Sequence, residues 1–354
     1  MVRRIRHCTL HVRLAFALLL SVCVSLALIV VTNDQRNFYF HFDETSDISD
    51  RIVLFVRTSQ NCQSRLKYLL QSWIPTGYDK QKNFYLITDH LQNRTLLNSF
   101  RHIIETECPQ THNRYDLCCK TAHEFELYYN IIKNQSNIEW MCRFDDDQYV
   151  NLKNLYSFLS QLNSSKMYYI GRTSIKYRLK VSETTRSFTF ATYGAGVCFS
   201  HTLLAQLRPH TNVESLPNGC VKRGISDDAY IGYLVEILLN ISLTSINDLF
   251  HSHLEKLDES FRYFALNDLT RLITFGFAWD RYKLEWLPVI HRLIELVNEN
   301  RAETANYFWL FLRNYEREHP EDLRNKYDDS CISYQILRNQ TIESQRKKQS
   351  QKAA

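Results

Sequence analysis

The sequence has no Cys-x-x-Cys pair, no internal repeat and no extended Lys/Arg stripe, and glycine occurs only 8 times in 354 residues. Without Cys-x-x-Cys a zinc ribbon lacks its paired thiolates. Without a basic stripe, and at a net charge of only +5, nothing marks a nucleic-acid surface. Rare glycine makes any local cluster of it worth inspecting. What is present belongs to a folded chain. Hydrophobic residues make up 44% and charged residues 23%, and the length suffices for one large domain or two small ones.

One long apolar run stands near the N-terminus. Residues 14–31 (LAFALLLSVCVSLALIVV) carry no charge over eighteen positions. A helix of that length rises roughly 27 Å, about one bilayer core. Arg3, Arg4, Arg6 and Arg13 precede the run, while Asp34, a single Arg36, Asp43 and Glu44 follow it. That asymmetry predicts cytosolic residues 1–13, a transmembrane anchor at 14–31 and a luminal body. So short a span suits a thin membrane of the early secretory pathway. The alternative is a cleaved signal peptide, with about 7–15 apolar residues and a small-x-small cleavage site. Thr32-Asn33-Asp34-Gln35 is not such a site. A luminal body agrees with sequons at Asn93, Asn134, Asn163, Asn240 and Asn339. It also agrees with an even set of cysteines beyond the anchor, Cys62, Cys108, Cys118, Cys119, Cys142, Cys198, Cys220 and Cys331, whose pairing the count does not reveal.

Residues 32–50 read as a polar stem. Strand-like runs follow at 51–56, 84–87 and 168–170, with a further alternation through Ile138, Trp140, Cys142 and Phe144. Between them lie helical spacings: Leu66, Leu69, Leu70, Trp73; then Ala122, Phe125, Tyr129, Ile132; then Leu152, Leu155, Leu159, Leu162. This order predicts an α/β fold with an open, mostly parallel sheet flanked by helices. In such sheets ligands bind outside the carboxyl ends of the strands. Thr58, Asp89 and Asp145-Asp146-Asp147 all follow strand candidates at that end. Residues 285–317 read as helical, and 343–354 as a polar, basic, disordered tail.

Asp145-Asp146-Asp147 sets three like charges side by side, which a fold tolerates mainly where a cation neutralises them. Carboxylate oxygens suit Mg²⁺ or Mn²⁺. An EF-hand is excluded by the missing central Gly and twelfth-position Glu, and a solvated acidic turn is the plain alternative. A second pair, Asp227-Asp228, opens an apolar helix through Ile231, Leu234, Val235 and Leu238. Either Ser226 or Asp227 caps that helix, or one Asp is a general base held in a cleft. His251 and His253 would face one side of a strand, weak evidence alone. Gly194 and Gly196 fall within three residues, where backbone can approach a ligand closely.

Taken in order, these pieces resemble the Fringe family of β1,3-N-acetylglucosaminyltransferases. The matching stretches are VRTSQNCQSRLKYLLQSW at 56–73, WMCRFDDDQYVN at 140–151, FATYGAGVCFS at 190–200, DDAYIGYLVE at 227–236 and FHSHLEKL at 250–257. The resemblance implies a GT-A-like domain at 51–290, followed by a helical C-terminal segment at 291–342. It implies Mn²⁺ held by Asp147 and His253, with Asp145 and Asp146 holding the ribose and the metal's water shell. Thr58, Arg65 and Asp89 would line the uridine and diphosphate pocket. Asp228 would be the catalytic base, ahead of Asp227. Cys142–Cys198 and Cys108–Cys119 would be disulfides, with Cys118 as a substitute for Cys119.

The activity implied is inverting transfer from UDP-GlcNAc to O-linked fucose on EGF-like repeats of Notch-type receptors, by a Golgi type II membrane protein. Two departures stand out. Tyr193 replaces the first glycine of the family's Gly-Gly-Ala-Gly run, which narrows the expected sugar pocket. Beyond about residue 275 little resemblance remains. The rivals are a β1,3-galactosyltransferase of the same fold, a non-catalytic binding protein or chaperone, and a lectin-like calcium binder, which His253 disfavours.

Overall fold

The apolar runs of the sequence become strands buried on both faces. A computed structural model describes residues 46–77, 79–89, 97–110, 114–252, 265–277 and 283–320, all within one unit, Glu44–Ala354. Its strands are β1 (Ile52–Arg57), β2 (Phe84–Thr88), β3 (Ile103–Glu105), β4 (Trp140–Asp145), β5 (Gln148–Val150), β6 (Tyr169–Gly171), β7 (Leu179–Lys180), β8 (Ser187–Phe188), β9 (Val197–Ser200), β10 (Thr244–Ser245) and β11 (Thr274–Gly276). Seven form the main sheet in the order β10-β6-β9-β4-β1-β2-β3, while β11 pairs with β5 and β7 with β8. β1 runs parallel to β2 and β4, β2 to β3, and β10 to β6. Only β9 is antiparallel to its neighbours in that sheet. The sheet is therefore mixed but mostly parallel, as expected.

Successive side chains of a strand point to opposite faces, so a strand buried on both sides reads as an unbroken apolar run. Leu54, Val56, Cys142 and Phe144 face one layer, with Leu66 and Leu69 of helix α1 (Leu66–Leu70). Val53, Phe55 and Met141 face the other, against Ala122, Phe125 and Tyr128 of helix α2 (Arg114–Asn134). β1 and β4 end in register, Arg57 opposite Asp145. Thr58 and Asp146, one residue on, emerge side by side at the carboxyl edge.

Several local expectations change. The helical reading of 285–317 becomes two helices, Trp286–Asn298 and Ala302–Glu318, broken at Asn300, whose φ of 59° is left-handed. Both bury apolar residues in the same core layer as Leu54 and Phe144, and the expected boundary at 290–291 falls inside the first of them. Helix α3 (Asp227–Tyr233) loosens into a π turn at Leu234–Leu238, and Leu238 ends exposed. His251 lies in no strand; it follows an isolated bridge between Phe250 and Thr274. Residues 14–31 lie outside the described residues, among which no helix is long and apolar enough to cross a membrane.

Cys108–Cys119 and Cys142–Cys198 are disulfides, the latter between directly opposed residues of β4 and β9. Cys118 is no substitute for Cys119: it bonds Cys220, 102 residues away, tying α2 to the helix Ser215–Arg223. Closing so long a loop restricts the unfolded chain, so replacing both by Ala should cost about 2–4 kcal/mol. A thermal melt of the double variant with an unchanged midpoint would contradict this.

Candidate functional site

A cavity of about 330 Å³ opens at the carboxyl ends of β1 and β4, at the small end of the range of roughly 300–1,000 Å³ for ligand sites. One wall is the Asp triplet. Asp146 is buried, accepting from Thr58 Oγ1 at 2.6 Å and Arg65 Nη1 at 2.7 Å. Burial raises its pKa, and Arg65 with Thr58 offsets only part of that rise. Asp147 Oδ2 stands 3.6 Å from Arg65, and Asp145 Oδ1 accepts from Arg143 Nη2 at 2.7 Å. Two guanidiniums thus already offset the like charges, which the sequence reading left to a cation. Asp146 is committed to its partners. Asp147 and Asp145 remain partly exposed in the cavity wall, where their hard oxygens fit a divalent ion such as Mn²⁺.

The triplet is held by its turn. Gln148, fully buried, accepts from the Asp145 N–H at 2.9 Å and donates to Gly194 O at 2.7 Å. β5 then pairs back onto β11. Gly276 of β11 is obligatory there, because a Cβ would meet Ser252 O at 2.4 Å and Asp147 O at 3.1 Å. Ser252 therefore brings the chain alongside the Asp147 backbone. The next residue, His253, lies outside the described residues. His251 is buried, with Nδ1 3.4 Å from Arg172; burial, then Arg172, pushes its pKa down to about 4.

The facing wall is the start of α3. Ser226 does not cap that helix; its hydroxyl donates to Asp228 Oδ1 at 2.6 Å. Oδ1 also accepts from the Ala229 N–H at 2.7 Å, and Oδ2 has no hydrogen-bond partner among the described residues. Burial, then the neighbouring Asp227 charge, pushes Asp228 up to about 6. Asp227 differs in every respect. Its Oδ2 accepts from Arg57 Nη1 at 2.9 Å and Thr121 Oγ1 at 2.7 Å. Burial alone would raise its pKa, but Arg57, Arg143 and Thr121 hold it below the usual carboxylate range.

The third wall is the turn 193–195. The Tyr193 ring is buried, 4.2 Å from the Arg143 guanidinium. Gly196 follows at φ 77°, where a Cβ would meet the Phe144 ring at 2.6 Å. That glycine serves packing, while Gly194 lines the cavity. Asp89 is fully buried behind the wall, paired with Lys120 Nζ at 2.7 Å and accepting from the Gln60 N–H at 2.6 Å. Lys120 itself reaches the cavity. Of the residues singled out in sequence, Thr58, Arg65, Asp145, Asp146, Asp147, Tyr193, Gly194, Asp227 and Asp228 meet at this cavity, and Asp89 does not.

Residues not foreseen are Arg57, Lys120, Thr121, Glu124 and Arg143, and Ser226, read only as a helix cap, serves Asp228 instead. The legible signal was a charge inside an apolar run, Arg57 closing IVLFVR and Arg143 within WMCRFD, since buried charges are rare unless paired.

A profile of the Fringe-like family matches residues 47–290. The chain belongs to the Fringe-like family. Among curated relatives it is 32% identical over 222 residues to "Beta-1,3-N-acetylglucosaminyltransferase radical fringe" of Gallus gallus, covering 60% of this chain and 57% of that protein. It is 35% identical over 222 residues to the lunatic fringe enzyme of Danio rerio, with the same coverage. It is 33% identical over 218 residues to the "Fringe glycosyltransferase" of Drosophila melanogaster, covering 59% and 51%. The Fringe-like chain thus spans a little over half the length of these relatives. A solved glycosyltransferase involved in glycosylation of the major capsid of PBCV-1 overlaps it at a TM-score of 0.32 and 10% identity, over 64% of this chain and 93% of that one. So slight an overlap carries no argument.

Proposed function

We propose that this chain transfers GlcNAc from UDP-GlcNAc, with inversion and in β1,3 linkage, to O-linked fucose on EGF-like repeats. In this reading it is a Golgi type II membrane protein anchored by residues 14–31, with a GT-A-like catalytic domain in the lumen. The observation that carries the reading is Asp228, a carboxylate brought to about 6 in a cavity that also holds the Asp triplet. A base works best with a pKa near the operating pH. With Oδ1 occupied by Ser226 and the Ala229 N–H, Oδ2 takes the proton as the acceptor hydroxyl attacks the anomeric carbon opposite the UDP. Arg65 and Lys120 set positive charge in the wall for the diphosphate. Asp147, with His253 one residue beyond Ser252, would hold Mn²⁺. When bound, such an ion supplies Lewis-acid stabilisation of the leaving diphosphate.

Product analysis tests this. The donor's sugar is α-linked, so one displacement yields a β-linked product. An α-linked product would rule out direct attack assisted by Asp228. Tyr193 supports a second reading of the donor alone, as its ring closes the cavity wall next to Arg143. A β1,3-galactosyltransferase of the same fold would turn over UDP-Gal faster than UDP-GlcNAc in a donor panel.

A further inference from the structure

Five charged side chains run in one chain along the cavity wall, four of them buried and Asp145 partly exposed, with only Glu124 set behind the lining. Asp145 Oδ1 accepts from Arg143 Nη2 at 2.7 Å. Arg143 Nε lies 3.0 Å from Glu124 Oε2, an ion pair without hydrogen-bond alignment. Glu124 Oε1 accepts from Arg57 Nε at 2.7 Å, and Arg57 Nη1 donates to Asp227 Oδ2 at 2.9 Å. Thr121, one turn before Glu124 on α2, closes the triangle by contacting both Arg57 and Asp227. Glu124, Arg143 and Thr121 are fully buried. The two ends of the chain are the two chemical halves of the site, the Asp triplet that begins at the last residue of β4 and the pair opening α3. Nothing else on the described part of α2 or the sheet bridges both guanidiniums.

We infer that Glu124 is the positioning residue that sets Asp228 against the Asp triplet, by locking Arg57 and Arg143 between its two carboxylate oxygens. This rests on the reading of Asp228 as the base. Glu124 touches no cavity surface, so it acts only through the guanidiniums. Each guanidinium is shared, Arg57 with Asp227 and Arg143 with Asp145. Removing the central charge while keeping its shape leaves both cations to redistribute over Asp227, Asp228 and Asp145. The charged and titratable groups facing Asp228 are Asp227 on its own helix, Arg143 from β4 and Tyr169 from β6. An Arg143 no longer balanced by Glu124 favours the ionised Asp228 and makes it a weaker base.

The test is Glu124→Gln in the full-length protein, assayed across pH with UDP-GlcNAc and an O-fucosylated acceptor, beside direct measurement of UDP affinity. The expected result is kcat lower by about tenfold or more, with UDP affinity within roughly twofold of wild type. The acidic limb of kcat/KM should also move below its wild-type position. A purely structural role would lower the melting temperature and leave that limb in place. Where Glu124→Gln does not fold, Glu124→Asp keeps the charge but shortens its reach, and should lower kcat at an unchanged melting temperature and UDP affinity, whereas a purely structural role would lower the melting temperature.

Wild-type turnover with both variants matching wild type in kcat and pH profile overturns the inference and leaves the proposed function standing. A wild type without turnover overturns both.

Discussion

Asp228→Asn should abolish turnover, lowering kcat by about 10²–10⁴-fold, and should make the protein more stable at neutral pH. Both effects come from one carboxyl group. Its folded value of about 6 lies above the ordinary 3.8, because burial and Asp227 oppose its charge. Between those values the folded protein holds a proton the unfolded chain has released. Stability therefore falls as pH rises from about 4 to 6 and stays lower above that. Asparagine carries no charge at any pH and still accepts from Ser226 and the Ala229 N–H through its side-chain oxygen. The variant should be stabilised by about 1–3 kcal/mol at pH 7 and by nothing at pH 4. Melts at both values, with UDP affinity measured alongside, check this. A variant that is destabilised at pH 7 contradicts the account of Asp228 as a charge held against its environment.

Its neighbour should behave in the opposite sense. Asp227→Ala removes the partner of a buried guanidinium, Arg57, and strips Thr121 of its acceptor. Breaking one side of a buried pair costs about 3–5 kcal/mol, which lowers the melting midpoint by roughly 5–10 °C. The folded pKa of Asp227 is depressed, so its contribution is present above the ordinary carboxylate range and fades as pH falls through the folded value. The loss should be full at pH 7 and shrink in acid. Adjacent aspartates would then separate cleanly, one variant inactive and stable, the other unstable. A melting midpoint for Asp227→Ala equal to wild type contradicts this assignment.

The carboxylates were legible in sequence because they are contiguous: FDDDQYV ends an apolar strand and DDAYIGY opens an apolar helix. That Asp227 is ion-paired to Arg57 while Asp228 is not was hidden, because neighbours on a helix start differ only in their tertiary partners. The parallel sheet followed from strand–helix alternation. The antiparallel placement of β9 did not, since direction leaves no mark in composition. Glu124 was hidden for another reason. On α2 it lies beside Ala122 and Phe125, and a Glu or Lys there reads as the solvated face. Its partners are 67 and 19 residues away, at Arg57 and Arg143. The Cys118–Cys220 bond was undetermined because a count of cysteines fixes no pairing.

The most direct measurement of the central claim is UDP release by the purified protein with UDP-GlcNAc and Mn²⁺, with and without an O-fucosylated EGF repeat. The account predicts acceptor-dependent release that EDTA abolishes and Mn²⁺ restores. Folded protein that binds UDP yet releases none with any UDP-sugar in the presence of that acceptor would contradict it.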